Sequence, residues 1–271
     1  MVINLYSTLL QIEEQRDQVL KKTAPIPIEK LSEEPYASIV CYPKPSKTEL
    51  RNRICELKRL GVNALIFSGK KQVFNLSVLG KGCVGIVTLA FRKSEKTALK
   101  IRRTDADRSR MRCEAELLKK ANSVSVGPKL LGVSKNFLLM QYIDGDLLPA
   151  WLEKRRGKTQ TKKVFREVLE QCYRLDKIGL DHGELSHAPK HVIISKEGEP
   201  FIVDFETASI DRRPSNVTSI CQFLFIGSES ARKIAESLGE KDKTTVVEAL
   251  RLYKSNRTRE NFKKILTICS L

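Results

Sequence analysis

The chain has 271 residues, 41% of them hydrophobic and 30% charged, which supplies enough apolar material for a core and excludes a disordered chain. Lys and Arg number 49 against 32 Asp and Glu, a formal net charge of +17 that calls for anionic partners: nucleotide phosphates, nucleic acid or acidic protein. Seven scattered cysteines without a C-x-x-C pair argue against a zinc ribbon or a disulfide framework, and neither a membrane-length apolar run nor a secretory leader is visible, so free thiols, buried or partly buried, in a reducing cytoplasm are expected.

In chain order, residues 5–20 read as an amphipathic helix with Leu5, Leu9, Ile12, Val19 and Leu20 on its apolar side. Five prolines between 24 and 45 predict an extended connection. Ser46 and Glu49 form a capping-box pattern, Leu50, Ile54, Leu57 and Leu60 repeat at helical spacing, and Gly61 supplies the stop. Strands are predicted at 64–68, 73–79, 85–91, 96–101, 130–134 and 137–142, with one helix near 106–121 among them. Helices then dominate, near 148–155, 161–178, 216–227, 228–238, 243–254 and 258–268, around a β-containing segment at 192–204. A β-rich half followed by a helical half predicts an α+β protein of two lobes with a cleft. The domain reading is an extension over 1–70, an N-lobe over 71–143 and a C-lobe over 144–271.

Residues 80–87 carry G-x-G-x-x-G-x-V as Gly80, Gly82, Gly85 and Val87. The residues after Gly85 are β-branched and alternating, so the glycines join two strands; a dinucleotide site would need a helix there, and no G-K-[ST] of a P-loop is present. Strand, glycine loop and strand make a flap whose amides, with Lys81 in the loop, cover phosphates. Lys100, twenty residues past Gly80, sits where a hairpin partner returns beneath the flap and can neutralise phosphates. It needs a carboxylate to hold it, and Glu114, ahead of an apolar helical run, is the candidate, with Glu116 in reserve.

All three histidines lie between 182 and 191, in Asp181-His182-Gly183-Glu184-Leu185 and on to His187 and His191, and an apolar strand ends in Asp204-Phe205-Glu206. Here the chain resembles the protein-kinase-like fold: His182 to Leu185 is similar to the H-[RG]-D-L catalytic loop and Asp204-Phe205 to the D-F-G metal site. Tyr42-Pro43, Lys100-Ile101-Arg102-Arg103 and the run from Asp204 to Ser209 extend the likeness to archaeal predicted serine/threonine kinases of the RIO and KEOPS small-kinase group, over about residues 40–260. The resemblance implies ATP with Mg²⁺, or Mn²⁺ in its place. It implies Lys100, Glu184 and Asp204 as catalytic groups, Met140 as gatekeeper, and Gln141, Tyr142 and Ile143 as the hinge that pairs with adenine.

Three departures need physics. Glu184 replaces the family's Asp, and the loop from it to His191 is two residues longer than D-x-x-x-x-N. His191 occupies the place of the metal-binding Asn, although Mg²⁺ prefers oxygen. Glu206 replaces the glycine and, in an extended segment, shares a side with Asp204, so Asp204, Glu206 and His191 are the candidate metal ligands; for Glu206 an ion pair with Arg212 or Arg213 is the competing reading. His187 and His191 have a zinc-like spacing, but Pro189 lies between them. Asp181 reads as a solvated or loop-stabilising acid and as the alternative to Glu184.

No A-P-E segment follows Asp204, so the activation segment is short and a peptide platform is missing. The function read from this is ATP-dependent phosphoryl transfer to a Ser/Thr hydroxyl of an unidentified protein substrate. Basic clusters at 92–112 and 154–163 keep open an ATPase switch on RNA or ribonucleoprotein, and a nucleotide-binding pseudokinase scaffold is the third class; no membrane partner or DNA sequence recognition is indicated.

Overall fold

A computed structural model describes residues 24–107, 109–154, 157–227 and 229–271. They fall into two compact units, the first running through Arg112 with Leu130–Tyr142 added, the second made of Cys113–Lys129 and Ile143–Leu271. The first is built on an antiparallel sheet and the second is mostly helical, an α+β organisation. The proposed helix over 5–20 lies outside the described residues.

In the first unit, β1 (Ile26–Pro27), β2 (Val62–Ile66), β6 (Gly85–Arg92), β7 (Glu95–Arg102), β9 (Phe137–Gln141) and β8 (Leu130–Val133) follow one another across the sheet, with β5 (Gly80–Lys81) added on β6. The pairing aligns Val87 with Lys100 and Lys100 with Leu138, so these three share one face. The intervening residues Ile86, Leu99, Ile101, Phe137 and Leu139 point the other way, into a core with Leu31, Ile39 and Leu57. The segment before the glycine loop thus closes the back of the sheet that carries Lys100.

Helix α2 (Lys47–Arg59) begins as the sequence predicts, with Ser46 Oγ accepting the Glu49 N–H at 3.2 Å and Gly61 beyond its end at φ +74°. Glu49 completes only half of the box, because its carboxylate turns to Arg53 Nε at 2.8 Å. The proline-rich stretch is not simply extended: a 3₁₀ turn (Ile28–Ser32) and α1 (Tyr36–Val40) form there, with Ile28, Leu31, Ile39 and Val40 buried. The predicted strand 73–79 is instead a hairpin of β3 (Lys71–Val73) and β4 (Leu76–Val78), turning at Phe74 with φ +49°. Cys41, Cys172, Cys221 and Cys269 are buried, but Cys55, Cys83 and Cys113 are exposed, and all seven are free.

Helix α3 (Arg110–Asn122) enters the second unit at Cys113. A three-stranded sheet comes next, β10 (Gly145–Leu147), β11 (Val192–Ser195) and β12 (Pro200–Ile202); β10 was not anticipated. Helices α4 (Leu148–Glu153), α5 (Lys158–Lys177), α6 (Asn216–Cys221), α7 (Glu229–Leu238), α8 (Lys243–Ser255) and α9 (Arg259–Ile268) complete the unit. Residues Gln222–Ile226, read as the end of one helix, form a π-helical turn. The face of α5 with Phe165, Leu169, Cys172 and Asp176 is buried. Among the described residues no helix is long and apolar enough to cross a membrane.

Candidate active site

The glycine loop lies in the first unit. Gly80 pairs with Val87 and Lys81 with Ile86, and the Gly82 N–H donates to the Gly85 carbonyl at 2.8 Å, closing a tight turn. Gly85 lies against the lysine: a Cβ there would come within 2.8 Å of the Ile101 carbonyl oxygen and 3.2 Å of Lys100 Cγ. Lys100 itself is 5% exposed. The Lys81 ammonium stands 5.1 Å from the Tyr42 ring centroid and the Arg103 guanidinium 5.2 Å from the same ring. Met140 pairs with Ala98 and Leu130, and Gln141 with Thr97, leading into Tyr142 and Ile143.

The loop from Asp181 to His191 and the strand end at Asp204 lie in the second unit. The β11–β12 hairpin sets Val192 opposite Ile202, and the Val203 N–H donates to the His191 carbonyl at 2.9 Å. His191 therefore stands at the root of one strand and Asp204 just past the end of the other. His191 is buried, its Nε2 donating to a Glu184 carboxylate oxygen at 2.8 Å, while its Nδ1 lies 3.9 Å from Asp204 Oδ2. Asp204 has φ +69°, a left-handed conformation that costs a non-glycine residue about 1–2 kcal/mol. Strain of that kind collects where a side chain must be aimed. Oxygens of Glu114, Asp204 and Glu206 lie within 4.8 Å of one another.

The support beneath this loop is built from the fold. Gly183 has φ +88°, and a Cβ there would meet Arg212 at 2.6 Å. The His182 N–H donates to Asn216 Oδ1 at 2.8 Å, and its Nε2 lies 3.1 Å from the Val203 carbonyl. Burial, reinforced by neighbouring His191, holds the His182 pKa down to about 4, so the ring is neutral near pH 7 and Nε2–H is the donor. Its ring packs edge-on against Phe205, 5.1 Å between centroids. Asp181 is not solvated. Its Oδ1 accepts from the Ser215 N–H and hydroxyl, its Oδ2 accepts from Arg212 Nε at 3.1 Å, and its backbone pairs with Ser209. Those bonds make it a loop tie and leave Glu184 as the better placed acid.

Sequence reasoning missed the tie beneath His182. Asp176 accepts from the Asn216 N–H at 2.9 Å, Asn216 Nδ2 at 2.8 Å and the Tyr253 hydroxyl at 3.0 Å. The signal was present: a carboxylate spaced helically with Phe165, Leu169 and Cys172 falls on the buried face of α5.

The basic run at 92–112 is not one surface patch. Lys100 and Arg102 are buried, and Arg102 Nη2 donates to Asn136 Oδ1 at 2.6 Å. In the second cluster Lys154 pairs with Asp146 and Lys163 with Glu199, while Arg155 and Arg156 lie outside the described residues.

The donor set suits a divalent cation: the three carboxylates of Glu114, Asp204 and Glu206 lie close together, while the buried His191 Nδ1, which has no hydrogen-bond partner among the described residues, stands outside that group at 3.9 Å from Asp204 Oδ2. An antiparallel-sheet unit followed by a helical one makes an α+β protein, and its His-Gly-Glu loop and strained Asp-Phe are consistent with a RIO-kinase-like fold. The family comparison agrees: the RIO domain model matches residues 88–218, a span containing Lys100, Glu114, Glu184, His191, Asp204 and Glu206. The chain is also similar to the uncharacterized protein MJ1211 of Methanocaldococcus jannaschii, 29% identical over 99 residues, which are 36% of this chain and 83% of that protein.

Proposed function

We propose that the protein is an ATP-dependent phosphotransferase of the atypical serine/threonine kinase kind. The observation that carries this reading is the second unit's acid constellation, Glu184 and Asp204 on either side of His191 with Glu206 and Glu114 close to Asp204. In the reading, glycine-loop amides and Lys100 take the phosphates, and the backbone of Gln141 to Ile143 takes the adenine beside Met140. Asp204 and Glu206 hold a divalent cation, which when bound neutralises charge on the transferring phosphoryl group. Glu184 accepts the proton of the attacking hydroxyl; one of its oxygens is engaged with His191 and the other is left for that contact.

Only eleven residues separate Asp204 from α6, and they are occupied in folding back: Asp181 pairs with Ser209, and Arg212 Nη2 donates to the Thr207 carbonyl at 2.6 Å. That brevity favours a specialised acceptor over a general peptide, and it supports an ATPase switch as the second reading. Incubating the protein with γ-labelled ATP and either Mg²⁺ or Mn²⁺ separates them. Label on a Ser or Thr supports the kinase, label released only as phosphate supports the ATPase, and no turnover with either ion overturns both.

A further inference from the structure

We propose that Arg212 and Arg213 form an anion-reading edge beside the His-Gly-Glu loop, so that the protein acceptor carries an acidic or phosphorylated side chain close to its Ser or Thr. The inference deepens the phosphotransferase reading and rests on it for the word acceptor; the docking argument stands on geometry and charge. Sequence reasoning offered both arginines as partners of Glu206, and in the structure they turn elsewhere. Arg212 Nε donates to Asp181 Oδ2 at 3.1 Å and its Nη2 to the Thr207 carbonyl at 2.6 Å. Arg213 Nη2 donates to the Lys254 carbonyl at 2.6 Å, and Arg257 closes the same end with a bond to the Pro214 carbonyl. A guanidinium carries five N–H donors in one planar fork. Arg212 uses two of them; the others, both on Nη1 included, have no acceptor among the described residues, and its side chain is 50% exposed.

This edge is set in register with the loop. A Cβ on Gly183 would come within 2.6 Å of Arg212 Nη2, and Gly183 immediately precedes Glu184. The Glu184 side chain is itself 41% exposed, so a hydroxyl can reach it from solvent. A chain that brings its hydroxyl there passes Arg212 within about one to three residues, at roughly 3.3 Å of extended chain per residue. Most exposed ion pairs are weak because two long side chains must be ordered to make them. Arg212 is already ordered by Asp181 and Thr207, so an incoming carboxylate or phosphate meets a fork fixed in advance. The surplus charge is positive: residues 207–215 hold one acid, Asp211, against Arg212 and Arg213, and the end of α8 and the turn after it add Lys254 and Arg257. A basic acceptor is rejected by the same charges. Residues 207–215 contain no aromatic side chain on which a base could stack, which favours a protein over single-stranded RNA.

The test uses the full chain and fluorescein-labelled peptides that share one frame around a single Ser. Glu, phosphoserine, Gln or Lys is placed at positions up to about three residues on either side of the Ser, and binding is read by anisotropy. At its best position the Glu or phosphoserine peptide should bind wild type at least about tenfold more tightly than the Gln peptide, the low end for a hydrogen bond to a charged group, and the Lys peptide should bind least. Arg212→Gln and Arg213→Gln should each remove most of that margin. Lys263→Gln, which takes one charge from an exposed position on α9, should preserve it. Equal affinity of wild type for the Glu and Gln peptides overturns the inference. So does an equal loss in all three variants, the result expected if the net charge of +17 alone attracts the peptide. Tight binding of a uridine oligomer with no acid preference among the peptides overturns it as well. The wild-type comparison decides even if a variant fails to fold. The same peptides with γ-labelled ATP separate the inference from the reading beneath it: acid-selective binding without transfer leaves the docking edge standing and counts against the kinase, whereas transfer without acid preference does the reverse.

Discussion

Asp176 and Asn216, forty residues apart, are joined by two hydrogen bonds to one carboxylate oxygen, from the Asn216 N–H at 2.9 Å and its side-chain amide at 2.8 Å. Because Asn216 Oδ1 in turn accepts the His182 N–H, this buried pair sets the height of the His-Gly-Glu loop. Asp176→Ala leaves the Asn216, Val217 and Tyr253 donors without their acceptor and is expected to cost roughly 2–4 kcal/mol. Burial, the largest effect on this carboxyl, holds its folded pKa above the ordinary aspartate value, against the pull of its donors. The folded state therefore retains a proton that the unfolded chain gives up. The contribution of that proton is complete below the ordinary aspartate range and fades as pH rises through the folded pKa, by at most about 1.4 kcal/mol per pH unit. In urea titrations between pH 3.5 and 7, the stability advantage of wild type over Asp176→Asn should be largest in acid and shrink as pH rises; a gap independent of pH would refute the assignment.

The approach of Gly85 to Lys100 yields a second expectation. Gly85→Ala forces its Cβ toward the Ile101 carbonyl and the Lys100 stem, whereas the nearest atom to a Cβ at Gly82 is 3.7 Å away. If Lys100 neutralises phosphate, Lys100→Ala and Gly85→Ala should both reduce the rise in melting temperature produced by ATP with its cation, and Gly82→Ala should largely preserve it. A ligand at about 100 times its Kd stabilises by about 2.7 kcal/mol, which is readily measured. Lys100→Ala should also lower turnover by about 10²–10³-fold. An undiminished shift in Lys100→Ala would remove the lysine from the site.

Arg53 is fully buried, and its guanidinium donates to the Val40 and Arg102 carbonyls at 2.7 Å each, to Asn136 Oδ1 at 3.2 Å and to Glu49 at 2.8 Å. This fork ties α2 and the proline-rich stretch to the end of β7. Removing it strands several acceptors and one carboxylate, so Arg53→Ala is expected to destabilise by about 3–5 kcal/mol. Arg53→Lys should recover only part of this, because a single ammonium cannot reproduce the planar fork. Chemical denaturation of the three proteins measures both numbers, and equal stability of Arg53→Lys and wild type would contradict the fork.

These cations mark where sequence reasoning ends. The start of α2 was legible because its signals are local: Ser46, three residues before Glu49, and Gly61 at the stop. The glycine loop, Lys100 and the His-Gly-Glu to Asp-Phe spacing were legible because chain order and strand alternation fix them. Arg102 read as a member of a basic surface run, since nothing local says that a charge will be buried; its acceptor, Asn136, comes from the turn before β9, thirty-four residues away. The same applies to α1, where proline content spoke for extension and tertiary burial of Ile39 and Val40 prevailed. His191 was readable as a departure from the kinase pattern, but its contact with Glu184 was not, because it depends on how the seven-residue step between them coils.

That contact also sharpens the test of Glu184. Glu184→Gln keeps an oxygen able to accept from His191 Nε2 but removes the base for the incoming hydroxyl, so phosphoryl transfer should collapse while nucleotide binding persists. Glu184→Asp keeps the charge but withdraws the carboxylate by about 1 Å, a displacement able to cost about 10²-fold in rate. The shortened acid also loses its 2.8 Å contact with His191. The aspartate variant should therefore be impaired even though it restores the residue found in kinases at large, and the defect should appear in turnover at saturating ATP. Normal turnover in Glu184→Asp would mean that the long loop already tolerates either acid; normal turnover in Glu184→Gln would remove Glu184 from the proton transfer altogether.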